Sequence, residues 1–192
     1  MIETLDSALA DVFQRLGDAA CNRRSLMHTP TVATDDADLR IMVLRGFDPQ
    51  AMTLRFHTDA RSPKALRIGT GASVGVLFYD RDEGMQIRCR GRSRVETTGE
   101  AVDAAWSGSD PYARRCYLGA APGEPAREGT SGLPEWVEGR KPSEDDLAPA
   151  RANFALLLVE LDEIDWYALS HQGHRRALFR RREGWAGTWL TP

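Results

Sequence analysis

From Leu26 to Thr97 apolar and polar residues alternate with a period of two, in short runs separated by turn residues. Alternation of this kind sends successive side chains to opposite faces, so the stretch is suited to half-buried antiparallel strands and not to helices. Thr31-Val32-Ala33-Thr34 is the first run, closed by the turn residues Asp35 to Asp38. Leu39 to Arg45 reads as the next strand. The turn signal Asp48-Pro49-Gln50 then leads to a strand from Met52 to Thr58. Ala72 to Tyr79 and Met85 to Val95 flank Asp80 to Gly84 as the arms of a long hairpin.

The flanking segments follow other periods. Leu5, Leu9, Val12, Phe13 and Leu16 form a stripe at helical spacing, which predicts an amphipathic helix over 3–16 within an N-terminal region of residues 1–25. Ser62-Pro63 has the chemistry of an N-cap and first helical position, for a short helix through Ile68. Thr98 to Trp106 and Asp110 to Leu118 predict two more short helices. Residues 119–150 hold five of the ten prolines and five of the seventeen glycines, and are expected to be a flap or a disordered loop. Strands resume at Phe154 to Asp162, Ile164 to Leu169, Arg175 to Arg182 and Trp185 to Leu190, with Glu183-Gly184 as a tight turn. Strands in hairpin order without βαβ alternation predict a mainly β fold with α additions (α+β), a closed antiparallel barrel in one domain spanning 1–192.

Composition removes several function classes. A formal net charge of −3 gives no global field for nucleic acid, and the cluster Arg175, Arg176, Arg180, Arg181 and Arg182 reads as the charged outside of an edge hairpin. No apolar run approaches the ~20 residues of a membrane span, and the acidic N-terminus does not resemble a signal peptide, so a cytoplasmic location is expected. Cys21, Cys89 and Cys116 form no metal or redox motif. His171 and His174 fall on opposite faces of a strand with no partner ligand at the right spacing, so no metal site is expected. The glycines between Gly69 and Gly75 precede a strand, where a dinucleotide-binding turn would have to open a helix.

One constellation suits an anion. Arg40 and Arg45 bracket Ile41-Met42-Val43-Leu44, and Phe56-His57-Thr58-Asp59-Ala60-Arg61-Ser62-Pro63-Lys64 runs from a strand end into a helix start. Free backbone N–H groups, the hydroxyls of Thr58 and Ser62, and the charges of Arg61 and Lys64 suit a phosphate. Pairing of the Arg40 strand with the Phe56 strand is expected to bring Arg40 to the same anion. The same residues also fit an ordinary capped helix beside two surface cations.

Four elements in order, Arg40-Ile-Met-Val-Leu-Arg45, Phe56-His-Thr-Asp59, Ser62-Pro-Lys64 and Met85-Gln-Ile-Arg-Cys-Arg-Gly91, resemble motifs of the pyridoxamine 5′-phosphate oxidase-like FMN-binding proteins. The C-terminal spacing of Trp166, His174 and Arg176 and the ending Trp185-x-x-x-Trp189-Leu-Thr-Pro192 also resemble that family. The resemblance implies a split β-barrel homodimer with FMN in grooves at the subunit interface. It implies FMN contacts from Arg40, Ile41, Met42, Val43, Thr58, Ser62, Lys64, Gln86, Trp166 and Arg176. His57 stands where the family has tyrosine and Pro63 where it has arginine, and Arg61 is expected to supply the missing charge. Arg45 and His174 match substrate-facing positions. The implied function is an FMN-dependent oxidoreductase with a small-molecule substrate; the alternative is a flavin carrier or sensor without turnover. Arg45 replaces a lysine, Gln172 replaces an arginine, and Ala104 to Ser109 lacks the family's tyrosine and arginine. A substrate other than pyridoxamine or pyridoxine 5′-phosphate is therefore expected.

Overall fold

The computed structural model describes residues 2–192. Helix α1 (Leu5–Cys21) begins at Thr4, whose hydroxyl accepts the Ser7 amide while the Ser7 side chain accepts the Thr4 amide. Strands β1 (Thr31–Thr34), β2 (Leu39–Ile41), β3 (Leu44–Asp48) and β4 (Thr53–Asp59) precede the short helix α2 (Pro63–Ile68). The hairpin β5 (Ala72–Asp80) and β6 (Met85–Glu96) leads to α3 (Glu100–Ser107) and α4 (Pro111–Arg114), and α5 (Glu144–Leu147) lies further on. Strands β7 (Phe154–Ala168), β8 (Arg175–Arg180) and β9 (Gly187–Leu190) complete the chain. The sheet runs in the order β2-β1-β5-β6-β7-β4-β3, with β8 on β7 and β9 on β8.

The chain packs as two compact units. The first holds residues up to Phe56, Gly71–Arg94 and Leu158–Pro192; the second holds His57–Thr70 and Val95–Leu157. In the first, Ala8, Val12, Leu16 and Ala19 form the inward stripe of α1, all fully buried. The helix lies against β3, β8 and β9, and the Phe13 and Phe47 rings meet at 5.9 Å. Facing strand residues Val32, Leu54, Phe78, Ile87, Leu161 and Phe179 complete this core. Burial pushes the Cys89 thiol up to about 12, which keeps it protonated and inert.

In the second unit, Trp106, Tyr117 and Phe154 form a ring cluster with centroids 5.2–5.9 Å apart. The guanidinium of Arg114 stacks over Trp106 at 5.0 Å and pairs with Glu144 through two nitrogens, at 3.0 and 2.5 Å. The Arg114 hydrogen bond holds the Glu144 carboxyl below its usual value. The proline- and glycine-rich segment contributes the wholly buried Val137 and Leu147 to this unit, and carries α5 besides short 3₁₀ turns.

Two differences from the sequence reading matter for function. Leu39 to Arg45 is two strands, because the chain changes partner: β2 pairs with β1 (Arg40 opposite Val32), while β3 pairs with β4 (Leu44 opposite Phe56). At the break, the Met42 amide donates to the Pro30 carbonyl and the Leu44 amide to that of His28. Arg40 is therefore in the β1–β2 hairpin, and the strand beside Phe56 is the one that follows it. The two expected strands over 154–169 are one uninterrupted strand, β7.

Gly91 fixes how closely β6 can lie to β7. A Cβ at that position would stand 2.1 Å from the Glu160 carbonyl oxygen, a backbone atom that cannot swing aside. Gly91→Ala is expected to destabilise the protein by at least about 2 kcal/mol, read as a lower urea midpoint with an unchanged slope.

Candidate functional site

Side chains singled out from sequence gather in two clusters, one in each unit. In the second unit, β4 ends in Thr58 and Asp59, both under 10% exposed, and Ser62 at the start of α2 is 1% exposed. The Ser62 hydroxyl donates to the Asp59 carbonyl at 2.7 Å and lies 3.5 Å from the Thr58 hydroxyl. The Lys64 ammonium donates to Ser62 Oγ at 3.3 Å. Two hydroxyls and an ammonium thus converge, and they suit the oxygens of a phosphate once Ser62 turns its proton away from the Asp59 carbonyl. Arg61 is turned elsewhere: its Nε and Nη2 bind the Asp59 carboxylate at 3.0 and 2.7 Å, and Nη2 also donates to the Gly119 carbonyl. The Asp59 hydrogen bond raises the Arg61 pKa above its usual value. His57 meets the Phe154 ring edge-on at 4.9 Å.

In the first unit, the outer face of the sheet carries the second cluster. Arg88 on β6 and Arg176 on β8 both bind the Asp165 carboxylate of β7, which is 7% exposed. Arg176 uses Nε and Nη2, at 3.0 and 2.8 Å, and this contact raises its pKa. Arg90 and Arg180 share Glu163 in the same way. These pairs set the alignment of β6 on β7, so that Gln86 comes level with Tyr167, the residue opposite Arg176. Gln86 in turn lies opposite Tyr79 on β5. Tyr79, Gln86, Tyr167 and Arg176 form one row across the face.

Trp166 points the other way. It is 1% exposed, donates its indole N–H to Asp11 at 2.8 Å, and packs edge-on against Trp189 at 6.4 Å. Asp11 also binds Arg15, which reaches Glu83 in the β5–β6 hairpin. Strand alternation therefore places Trp166 in the interior and sets its neighbour Tyr167 beside Gln86 and Arg176, with His174 edge-on at 5.8 Å. Tyr167 escaped the sequence reading because motif spacing draws attention to the tryptophan; the period-two pattern of β7 is the signal that separates the two faces.

The remaining residues occupy the β2–β3 region. Arg40 donates to the Thr34 hydroxyl at 3.1 and 3.2 Å, to the Val32 carbonyl, and to the Asp38 carboxylate, so its charge is held within its own hairpin. Ile41 is 65% exposed, Met42 is buried and Val43 half-buried. Arg45 is the extra residue of a β-bulge between Leu44 and Gly46, and its Nε is buried with no hydrogen-bond partner. Bulges re-aim a side chain relative to the ladder, which is why Arg45 departs from simple alternation. Among the described residues, no group of three or more His, Cys, Asp or Glu could hold a metal ion, and no helix is long and apolar enough to cross a membrane.

Known folds match this arrangement. The chain covers, end to end, a pyridoxamine 5′-phosphate oxidase-related, FMN-binding protein of Nostoc punctiforme, with a TM-score of 0.73 and 22% identity over 100% of both chains. PhzG of Burkholderia lata, solved in complex with tetrahydrophenazine-1-carboxylic acid, matches with a TM-score of 0.69 and 18% identity over 100% of this chain and 98% of that one. A general stress family protein of Xanthomonas campestris matches at 0.53 and 17% identity, over 88% and 92% of the two chains. The architecture is a split barrel, an antiparallel curled sheet with helices. The family model described as "Pyridoxamine 5'-phosphate oxidase, FMN-binding domain" matches residues 7–97, a little under half of the chain. No curated protein matches it by sequence.

Asp165 is the carboxylate on which the outer-face cluster turns. Asp165→Ala is expected to cost about 2 kcal/mol in urea unfolding, because two guanidinium groups lose their charge-assisted partner at once.

Proposed function

We propose that the protein binds FMN and acts as an FMN-dependent oxidoreductase on a small molecule other than pyridoxamine or pyridoxine 5′-phosphate. The observation that carries this reading is the convergence of Thr58 and Lys64 on the Ser62 hydroxyl, at 3.5 and 3.3 Å, in a chain whose residues 7–97 match an FMN-binding domain model. FMN, when bound, supplies the hydride-transfer chemistry. The chain's own residues bind and orient. Lys64 and the two hydroxyls hold the phosphate, while Arg40, which the family resemblance assigns to it, is bound to Thr34 and Asp38 within its own hairpin. Ile41, Met42 and Val43 lie along the ring system. Gln86 offers an amide to the ring's polar edge, and Arg176, held by Asp165, offers a fixed positive charge there. Arg61 steadies the turn before Ser62 through Asp59, and His57 packs beside it. Arg45 and His174 face the substrate.

Two features support a substrate outside the pyridoxamine class. Gln172 is neutral where the family places an arginine, and Ala104 to Ser109 offers neither tyrosine nor arginine. The same fold in PhzG accommodates tetrahydrophenazine-1-carboxylic acid, so the scaffold is not tied to one ligand.

The reading also includes a homodimer. Ile41, Thr31 and Leu77 stand in one row across β2, β1 and β5, with Leu39, Ala33 and Gly75 in the next. Leu39, Ile41, Leu77 and Tyr79 are 63, 65, 38 and 47% exposed, an apolar patch on the sheet face that carries Gln86. A second copy of the chain, presenting the same patch, would cover it about a two-fold axis.

The protein as purified is expected to show a flavin absorption band, or to acquire one on addition of FMN. Bleaching by a reducing substrate then marks an oxidoreductase, and a stable band with every donor marks a carrier. Lys64→Ala should weaken FMN by roughly ten- to a hundred-fold while leaving riboflavin affinity nearly unchanged, measured by fluorescence titration, since one charge-assisted contact is worth ~1.5–3 kcal/mol. Ile41→Glu should shift the protein from dimer to monomer in analytical ultracentrifugation and release FMN with it.

A further inference from the structure

A cleft of about 320 Å³ opens in the first unit, lined by Glu3, His174, Arg175, Arg176, Trp189 and Leu190. Its chemistry is specific. His174 Nδ1 accepts the Ser170 amide at 3.1 Å, which leaves the ring proton of neutral His174 on Nε2 as a donor. Arg176 spends Nε and Nη2 on Asp165, so Nη1 is its nitrogen outside that pair. Arg175 anchors the N-terminal segment by donating to the Ile2 carbonyl, and brings a second guanidinium to the wall. Trp189, 40% exposed and braced from behind by Trp166, offers a flat apolar surface, with Leu190 beside it. Glu3 is the one carboxylate among the six lining residues.

We infer that this cleft binds a small aromatic monocarboxylic acid, and that Glu3 sets its preference for a single negative charge. Arg175, Arg176 and Arg88, which shares Asp165 with Arg176, stand against the carboxylates of Asp165 and Glu3, a net charge of +1 that one carboxylate balances. A phosphate monoester, carrying close to two negative charges, faces the Glu3 repulsion without a further cation to offset it. The indole wall and the volume select a flat ring of one or two cycles. The inference rests on the flavin reading only in making this acid the substrate, since Arg176 is there shared with the ring; binding itself needs no flavin.

The test is calorimetric titration of the full-length protein, with and without added FMN. The probes are 1-naphthoate, 1-naphthamide, 1-naphthylmethylamine, 1-naphthyl phosphate and inorganic phosphate. Naphthoate is expected to bind at least tenfold more tightly than any of the others. Arg175→Ala and Trp189→Ala should each weaken it about tenfold or more, while circular dichroism and urea midpoint report whether either variant still folds. Glu3→Gln, at an exposed site near the chain end, should raise naphthyl phosphate affinity more than naphthoate affinity. Equal binding of acid and amine, or a Glu3→Gln variant with an unchanged acid-to-phosphate ratio, would overturn the proposal. Naphthoate binding by a protein that takes up no FMN would instead overturn the flavin reading and leave the acid site standing.

Discussion

The approach of β6 to β7 at Gly91 is the constraint from which the outer face of the sheet follows. With no side chain at that point the two backbones can close to a distance that any Cβ would forbid. Closing them brings Arg88 onto Asp165 and Arg90 onto Glu163, and β8 then adds Arg176 and Arg180 to the same two carboxylates. Four arginines on two acids leave the face positive, which suits it to an anionic or electron-rich ligand edge. The ion pairs are partly exposed and add modestly to stability. Their greater effect is on alignment: they hold Gln86, Tyr167 and Arg176 in one row.

How much of this was legible in the sequence depended on whether the deciding interaction was local. The alternation from Thr31 to Tyr79 and the stripe of α1 are properties of consecutive residues, and they appear in the structure close to where the pattern sets them. The proximity of Thr58, Ser62 and Lys64 was legible for the same reason, since all three lie within seven residues at one strand-to-helix junction. Arg40 was misplaced because apolar continuity through Ile41-Met42-Val43 hides a change of pairing partner, which is a long-range event. Arg61 was assigned to an anion from outside the chain, yet Asp59, two residues away, takes its guanidinium. The contribution of the proline-rich segment to a core was also out of reach, because Val137 and Leu147 are isolated apolar residues with no period to announce them.

A common thread joins Arg40, Arg61 and Arg176. Each is a cation suited to an anionic ligand, and each is already bound to a carboxylate: Asp38, Asp59 and Asp165. A guanidinium held in this way keeps its orientation before a ligand arrives, so less rotamer entropy is lost on binding. The arrangement also dampens the field that several bare arginines would otherwise project, consistent with a chain whose net charge is only −3.

The uninterrupted run of β7 has a consequence for how such a chain can vary over time. From Glu163 to Ala168 the ladder of β7 with β8 runs one to one, with no register shift that could absorb a length change. Losing or gaining one residue in that interval would exchange the two faces for everything beyond it. Trp166 would swing out to solvent, and Asp165 and Tyr167 would enter an apolar interior with their partners left behind. A single-codon insertion or deletion is therefore closed to this stretch, and length variation has to be taken up in the turn between β7 and β8.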